Sequence, residues 1–345
     1  MTASPARLLR RVLMIGVLLV AAAAAVVGAE MWRQYQSFAD RPLASVNGER
    51  VLEVKRGDGF LTVLRRMRRI EIADGHDWQW RLLAFELKVL DRLQVGEYAV
   101  GHGITPRQLL RKLEAGDVIQ HRFTVVEGWN LRDLRAALAR EPALAQTLSA
   151  LDDAALMAAI GRPNTHAEGR FLPETYQFTR GVRDVELLRR AALAMDVALA
   201  EAWVGRDDGL PLETPEQALI LASIVEKETG IASERPQIAG VFVRRLRIGM
   251  RLQTDPTVIY GLGAGFDGNL RRSDLLTDTP YNTYTRAGLP PTPIALPGRD
   301  ALRAAVHPAP GDALYFVARG DGSHHFSATL AEHNRAVARY QLRRR

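Results

Sequence analysis

The sequence predicts an α+β protein: one N-terminal transmembrane helix, a small α/β subdomain, and a larger, mainly helical domain with a short β-hairpin. Three observations predict it. Val12 to Ala29 is an unbroken apolar run, and strand–turn–helix patterns recur between 48 and 140. Helical periodicity then dominates after 141, apart from two short β-rich runs around Gly320-Asp321-Gly322. A chain of 345 residues is long enough for two domains with cores of their own. The boundaries that follow are 1–11 for a cytoplasmic N-terminus, 12–29 for the anchor, 30–47 for a spacer, 48–140 for the small subdomain and 141–345 for the large domain.

The first element rests on length and flanking charge. Eighteen uncharged residues are just enough to cross a bilayer. Arg7, Arg10 and Arg11 precede the run and Glu30 follows it, so the positive-inside rule leaves the start in the cytoplasm and the rest on the other side. A cleaved signal peptide is the rival, but the run exceeds a usual signal core and no clean Ala-x-Ala site follows. Bulk composition, 47% hydrophobic and 25% charged, is that of ordinary globular protein. A net charge of +7 raises nucleic acid as a partner, yet the basic residues are scattered and only Lys55, Lys88, Lys112 and Lys227 are lysines. Nucleic acid is therefore set aside. Zero cysteine excludes disulfides and thiolate metal sites.

In the small subdomain, Arg50–Val54 reads as a strand, 56–59 as a turn and Phe60 to Arg69 as a helix. Tyr98–Val100 leads through Gly101-His102-Gly103 to Thr105, which caps a helix from Pro106 to Glu114 closed by Gly116. Phe123–Val126 begins a third such unit, with a helix start near Asn130. Residues 141–212 read as mainly helical, with a loop at 168–178, EGRFLPETYQF, whose aromatic and polar side chains either line a groove or pin the loop to the core. Thr214-Pro215 with Gln217 starts the next helix as a capping box with proline at its first position. Ser233 is expected to cap another, and Asp255-Pro256 to begin a short one. Residues 280–298, rich in proline and threonine, read as an extended loop. Ala313–Val317 and His324–Phe326 form the hairpin, and a last helix starts near Thr329.

The helix that follows Thr214 carries the chemistry. Ala218, Leu219, Ile220, Leu221, Ala222, Ile224 and Val225 cover every side of it, which marks a buried helix, and Gly230 supplies the expected stop. Glu226 then sits in the last turn, with small Ala222 and Ser223 one turn back leaving room for a ligand. Burial and the negative helix end both disfavour its ionised form. A carboxylic acid protonated near neutrality suits general-acid cleavage of a glycosidic bond. The plainer alternative is a glutamate that bends to solvent or pairs with Arg235. Glycosidases normally use two carboxylates, and no second one stands out. Glu228 lies on another face of the helix, Asp255 reads as a cap, and Glu234 as a first-turn acid. One carboxyl can serve alone if it protonates the leaving oxygen and then deprotonates an internal nucleophile, such as the 6-hydroxyl of N-acetylmuramic acid.

The strings LASIVEKETG (221–230), LRIGMRLQTDPTVIYG (246–261), PYNTYTRAGLPPTPI (280–294) and HPAPGDALYFVARGDGSHHF (307–326) resemble the MltG/YceG-like endolytic murein transglycosylase family. The resemblance is dense from 168 to 335 and weak over 45–140, where the family has a LysM-like glycan-binding subdomain; GITPRQLLRKLEAG at 103–116 is the part of this chain most similar to one. It implies that Glu226 is the catalytic acid and then base, and that Glu228 and Asp255 support it. It also implies that Gln253, Tyr281, Asn282, Thr283, Tyr284, His324 and Phe326 contact substrate. No cofactor is implied. His307, His324 and His333 lack metal-ligand spacing, so no metal is expected. The implied setting is the bacterial inner membrane, crossed once, with a periplasmic C-terminal domain. The implied partners are peptidoglycan glycan strands, that membrane and cell-wall synthases.

The leading expectation is thus a membrane-anchored lyase that cleaves MurNAc–GlcNAc linkages in nascent strands and terminates their growth. Two alternatives stand beside it. One is a non-catalytic peptidoglycan-binding scaffold, the other a muramidase that uses water.

Overall fold

The computed structural model describes residues 5–342, and the chain divides into two compact units between Gln120 and His121. The fold is mixed helix and strand, mostly helical, with three separate two-stranded antiparallel sheets among the described residues. One helix, α1 (Pro5–Asp40), is long and apolar enough between Leu13 and Asp40 to cross a membrane. Leu13 to Val20 are all exposed in it apart from Gly16's missing side chain, as suits a lipid-facing surface.

The first unit begins inside that helix. The expected spacer at 30–47 is corrected: α1 continues to Asp40, and Tyr35, Ala39, Leu43 and Val46 are buried in the unit's core. An apolar residue every fourth position, Tyr35 then Ala39, keeps one stripe of the helix facing inward. Strand β1 (Arg50–Val54) pairs with β2 (Gly96–Val100), Arg50 opposite Val100 and Val54 opposite Gly96. Helices α2 (Phe60–Arg69), α3 (Asp77–Glu86) and α4 (Pro106–Ala115) complete the unit. Its centre holds Trp80, Tyr98, Met67 and Leu109, all fully buried. Helix α4 starts where expected and runs one residue further, to Ala115: Thr105 accepts from the Gln108 amide, and Gly116 closes it in the left-handed region at φ 69°.

In the second unit, β3 (His121–Thr124) pairs with β4 (Thr175–Phe178), so the segment 168–178, read as loop, ends in a strand. Phe123 and the helix capped by Asn130, α5 (Leu131–Leu138), accordingly pack with Phe171, Tyr176 and Leu187 in the second unit, although the sequence put them in the small subdomain at 48–140. The remaining helices are α6 (Asp153–Ala159), α7 (Asp184–Val204), α8 (Pro215–Glu228), α9 (Arg235–Arg247), α10 (Asp255–Leu262), α11 (Arg272–Leu276) and α12 (Arg299–Val306). The hairpin is β5 (Tyr315–Ala318) with β6 (His324–Ser327), and α13 (Leu330–Val337) follows it.

Helix α8 is the core of this unit, as its all-round apolar pattern requires. Ala218 to Val225 are all buried, packed among residues of α7, α9 and α12. Each buried leucine, isoleucine or valine removes enough apolar surface to stabilise by roughly 1.5–3 kcal/mol. Two local expectations are corrected here. Gly230 is not a left-handed stop; α8 ends because Thr229 turns extended, at φ −146°. Nor does Ser233 cap α9, since it lies within a 3-10 turn, Ala232–Glu234, that runs straight into that helix.

Candidate active site

The last turn of α8 sends two glutamates in different directions. Residues two apart on a helix are about 200° apart around its axis, so Glu226 and Glu228 cannot share one environment. Glu226 points into the protein. Its side chain is 4% exposed, Oε1 accepts from Arg235 Nη2 at 3.0 Å, and Oε2 accepts from the Gly298 amide at 2.8 Å. Burial pushes its carboxyl up, opposed by the Gly298 amide and Arg235. Arg235 also reaches Glu127 at 3.2 Å and Asp300 at 3.6 Å. The room expected beside Ala222 and Ser223 is filled: Ser223 Oγ accepts from the Ile294 amide at 3.0 Å, and Ile294, Ala295 and Leu296 are buried. Glu226 is therefore enclosed on both oxygens, and the plainer reading, a pair with Arg235, describes its geometry.

That enclosing strap depends on one glycine. Gly169 sits at φ +80°, and a Cβ there would lie 2.5 Å from Pro293 Cβ. Gly169→Ala is expected to destabilise the protein by about 3 kcal/mol, from left-handed strain and overpacking together. Thermal unfolding monitored by circular dichroism checks this, and an unchanged midpoint would show that the strap yields freely.

Glu228 points the other way, into a cavity of about 430 Å³ lined also by Arg245, Gln253, Asp255, Tyr284, Tyr315 and His324. Thr254 Oγ1 donates to Glu228 Oε1. Burial pushes the carboxyl up to about 7, the Thr254 hydrogen bond opposing and Asp255 adding to the rise. Gln253 is held at φ 47°, a costly conformation for a residue with a side chain, and such strain is concentrated at ligand sites. Its amide donates to Thr283 O at 3.2 Å. Asp255 is not the cap of α10. Thr254 occupies that position, and the Asp255 carboxylate instead accepts from Tyr284 Oη at 2.5 Å. Arg245 is buried, donating from Nε to Leu314 O and from Nη1 to Leu252 O, both at 2.6 Å, with its guanidinium 5.3 Å from the Tyr315 ring centre.

The structure thus brings Glu228, Gln253, Asp255, Tyr284 and His324 together and leaves four expected contacts elsewhere. Asn282 is fully buried, its Nδ2 donating to the carbonyls of Asp274, Leu275 and Thr277 and its Oδ1 accepting from the Tyr284 amide. Thr283 Oγ1 accepts from the Thr254 amide at 3.1 Å. Both hold the loop in shape. Phe326 packs near Phe316 at the edge of the α8 core. Tyr281 faces a second cavity of about 840 Å³, beside Tyr260, Lys227 and Glu168. Glu168 is 3% exposed there, taking the Leu131 amide at the start of α5 and the Tyr260 hydroxyl, and burial pushes it up to about 7. Arg245 lies outside the strings that carry the resemblance, and Thr254 and Tyr315 lie within them without a role of their own; only the fold gathers the three around Glu228.

These features define a class: an apolar anchor helix, and a mainly helical body holding a protonatable carboxyl in a polar, aromatic-walled cavity. Comparison supplies the family. Residues 52–339 match the YceG-like family, and the chain belongs to it. It is 33% identical over 264 residues to a Bacillus subtilis (strain 168) protein named endolytic murein transglycosylase, covering 72% of this chain and 73% of that one. A Streptococcus pneumoniae protein of the same name is 30% identical over 210 residues, 59% of this chain but only 36% of that longer one. The crystal structure of a YceG-like protein from Listeria monocytogenes is similar at a TM-score of 0.55 and 28% identity, covering 83% of this chain and 98% of that one.

Proposed function

We propose that this protein is a membrane-anchored endolytic peptidoglycan transglycosylase, a carbon–oxygen lyase that cuts MurNAc–GlcNAc linkages in nascent strands. It leaves 1,6-anhydro-MurNAc ends, and Glu228 is the group that acts first as acid and then as base. The observation that carries this is the Glu228 carboxyl, protonatable near neutrality in an open cavity, in a chain whose relatives bear that activity in their names. The role expected of Glu226 passes to Glu228, because Glu226 has both oxygens engaged by the protein.

In this reading the protonated Glu228 donates to the leaving glycosidic oxygen, and the muramic 6-hydroxyl closes on C1 without water. Tyr284 offers its ring to the sugars, Gln253 and Asp255 offer hydrogen-bonding groups, and Tyr315, stacked on His333 with Arg245 over its ring, walls the cavity. Thr254 positions the acid. The part of the segment 48–140 that lies in the first unit, up to Gln120, acts as a LysM-like glycan holder, and α1 places the body on the periplasmic face of the inner membrane, where cell-wall synthases supply the strands. Product analysis tests the reading. Full-length protein in detergent, given uncrosslinked glycan, should release fragments lighter by one water than reducing-end products. Reducing ends would make it a muramidase, and binding without cleavage a scaffold.

A further inference from the structure

The cavity holds a second acid–base group that the single-carboxyl scheme leaves idle. His324 begins β6, and Glu234 lies ninety residues earlier at the end of the turn before α9. The His324 amide donates to Glu234 Oε1 at 2.9 Å, and Nδ1 meets Glu234 Oε2 at 2.8 Å. Thr229 Oγ1 donates to the same Oε2 at 3.4 Å. Both side chains are nearly enclosed, at 11% and 12% exposed. The Phe316 ring stands perpendicular to the imidazole at 5.4 Å. A carboxylate accepts but never donates, so Nδ1 must carry the proton. The ring is thereby fixed in orientation, and in its neutral form the tautomer is fixed too, with the lone pair on Nε2. Among the described residues Nε2 has no protein hydrogen bond, and His324 lines the cavity that Glu228 faces. Burial works against ionisation of Glu234, but the His324 contacts hold its carboxyl below the usual range, which keeps it the acceptor.

We propose that His324, in place of Glu228, is the base of the ring-closing step, positioned by Glu234, and that Glu228 is the acid alone; this rests on the transglycosylase reading above and replaces only the base named there. The muramic O6–H bond breaks and its proton passes to His324 Nε2. The O6 lone pair forms the new bond to C1, the C1–O4 bond breaks with its electron pair on O4, and O4 takes the proton of Glu228. No water is consumed. The imidazolium then returns its proton to the Glu228 carboxylate in the same cavity, which restores both groups. Acid and base are thus separate groups, and Glu228 need not change role within the step.

The test is steady-state kinetics of the full-length protein on uncrosslinked glycan strands with Glu228→Gln, His324→Asn and Glu234→Gln. Asparagine keeps a donor for Glu234 but lacks Nε2, so His324→Asn should fold, and a wild-type circular dichroism melt verifies this. Its kcat is expected to fall by ~10²–10³, the contribution of a general base, with KM within about twofold. Added imidazole should restore at least about tenfold of the loss. Glu234→Gln should lower kcat by roughly 10² and move the low-pH limb of the rate profile, because glutamine can present its amide N–H to Nδ1 and reverse the tautomer. The other ionisable groups of the cavity, Glu228, Arg245, Asp255, Tyr284, Tyr315 and His333, are untouched by that change. Full activity in Glu228→Gln would overturn the underlying reading. An inactive Glu228→Gln beside a His324→Asn that keeps its kcat, or loses only KM without imidazole rescue, would overturn this proposal alone.

Discussion

Glu228→Gln is expected to reduce anhydromuropeptide release by roughly 10³-fold or more, whereas Glu226→Gln should stay within about tenfold of the parent; a single acid–base group supplies ~10²–10⁴. The two residues share a helix turn, so the contrast isolates direction rather than locality. Glutamine at 228 still accepts from Thr254 but has no proton of the right acidity to give. Glutamine at 226 keeps its contact with Arg235 through the amide oxygen. The pH dependence follows from the raised carboxyl of Glu228, at about 7. The acid form is the working one, so the rate falls as pH rises through 7. The stability sign agrees. The folded state holds a proton that an unfolded glutamate has already lost, so the parent loses stability between pH 4.5, the ordinary value, and about 7. Glu228→Gln removes that loss and should melt above the parent at pH 8. Activity retained in Glu228→Gln and lost in Glu226→Gln would return the role to Glu226.

Much of the fold was legible because it is written in local chemistry. Thr105, Asn130 and Thr329 each cap a helix as their residue types predict. The hairpin around 320 and the buried α8 follow from period and turn residues in the same way. Apart from the local corrections at Gly230 and Ser233, the failures share a cause: each depended on a partner distant in sequence. Thr175–Phe178 is a strand only because β3 lies alongside it. The run 30–47 has no strong periodic stretch of its own, yet Tyr35 and Ala39 find a core made by residues up to 113. The site shows the same limit more sharply. Sequence singled out the turn now proposed to carry the chemistry but not which of its two glutamates faces the cavity, because α8 is apolar on every side and gives no amphipathic direction. What decides it is Arg235 and Gly298 on one face and Thr254 on the other. Asn282 illustrates the converse, since a polar residue in a polar loop looks like a ligand contact until three carbonyls are found on its amide.

Arg235→Met is expected to cost about 3–5 kcal/mol, the penalty for removing one partner of a buried ion pair and stranding the other. The Arg235 side chain is 9% exposed and Glu226 4%, so solvent screens this pair little. Glu127, at 47%, and Asp300, at 72%, lie largely in water and add little by themselves. In a unit of this size each kcal/mol moves the melting point by ~2–4 °C, so a fall on the order of 10 °C is the expected reading. The loss should be smaller in mild acid, where protonation of Glu226 removes the stranded charge. A companion variant separates charge from shape. Arg235→Met with Glu226→Leu removes both charges, and it should recover most of the lost stability, because a buried pair often contributes no more than well-packed apolar side chains. Recovery would mean that the pair is kept for geometry, since Arg235 joins the end of α8 to the start of α9 and to the loop holding Glu127. Activity then supplies the second readout. If the pair aims the last turn of α8, the stable double variant should still turn over more slowly than the parent, with Glu228 present but displaced. Full stability together with full activity in the double variant would show that neither charge is needed, and that Glu228 is aimed by Thr254 and the helix alone.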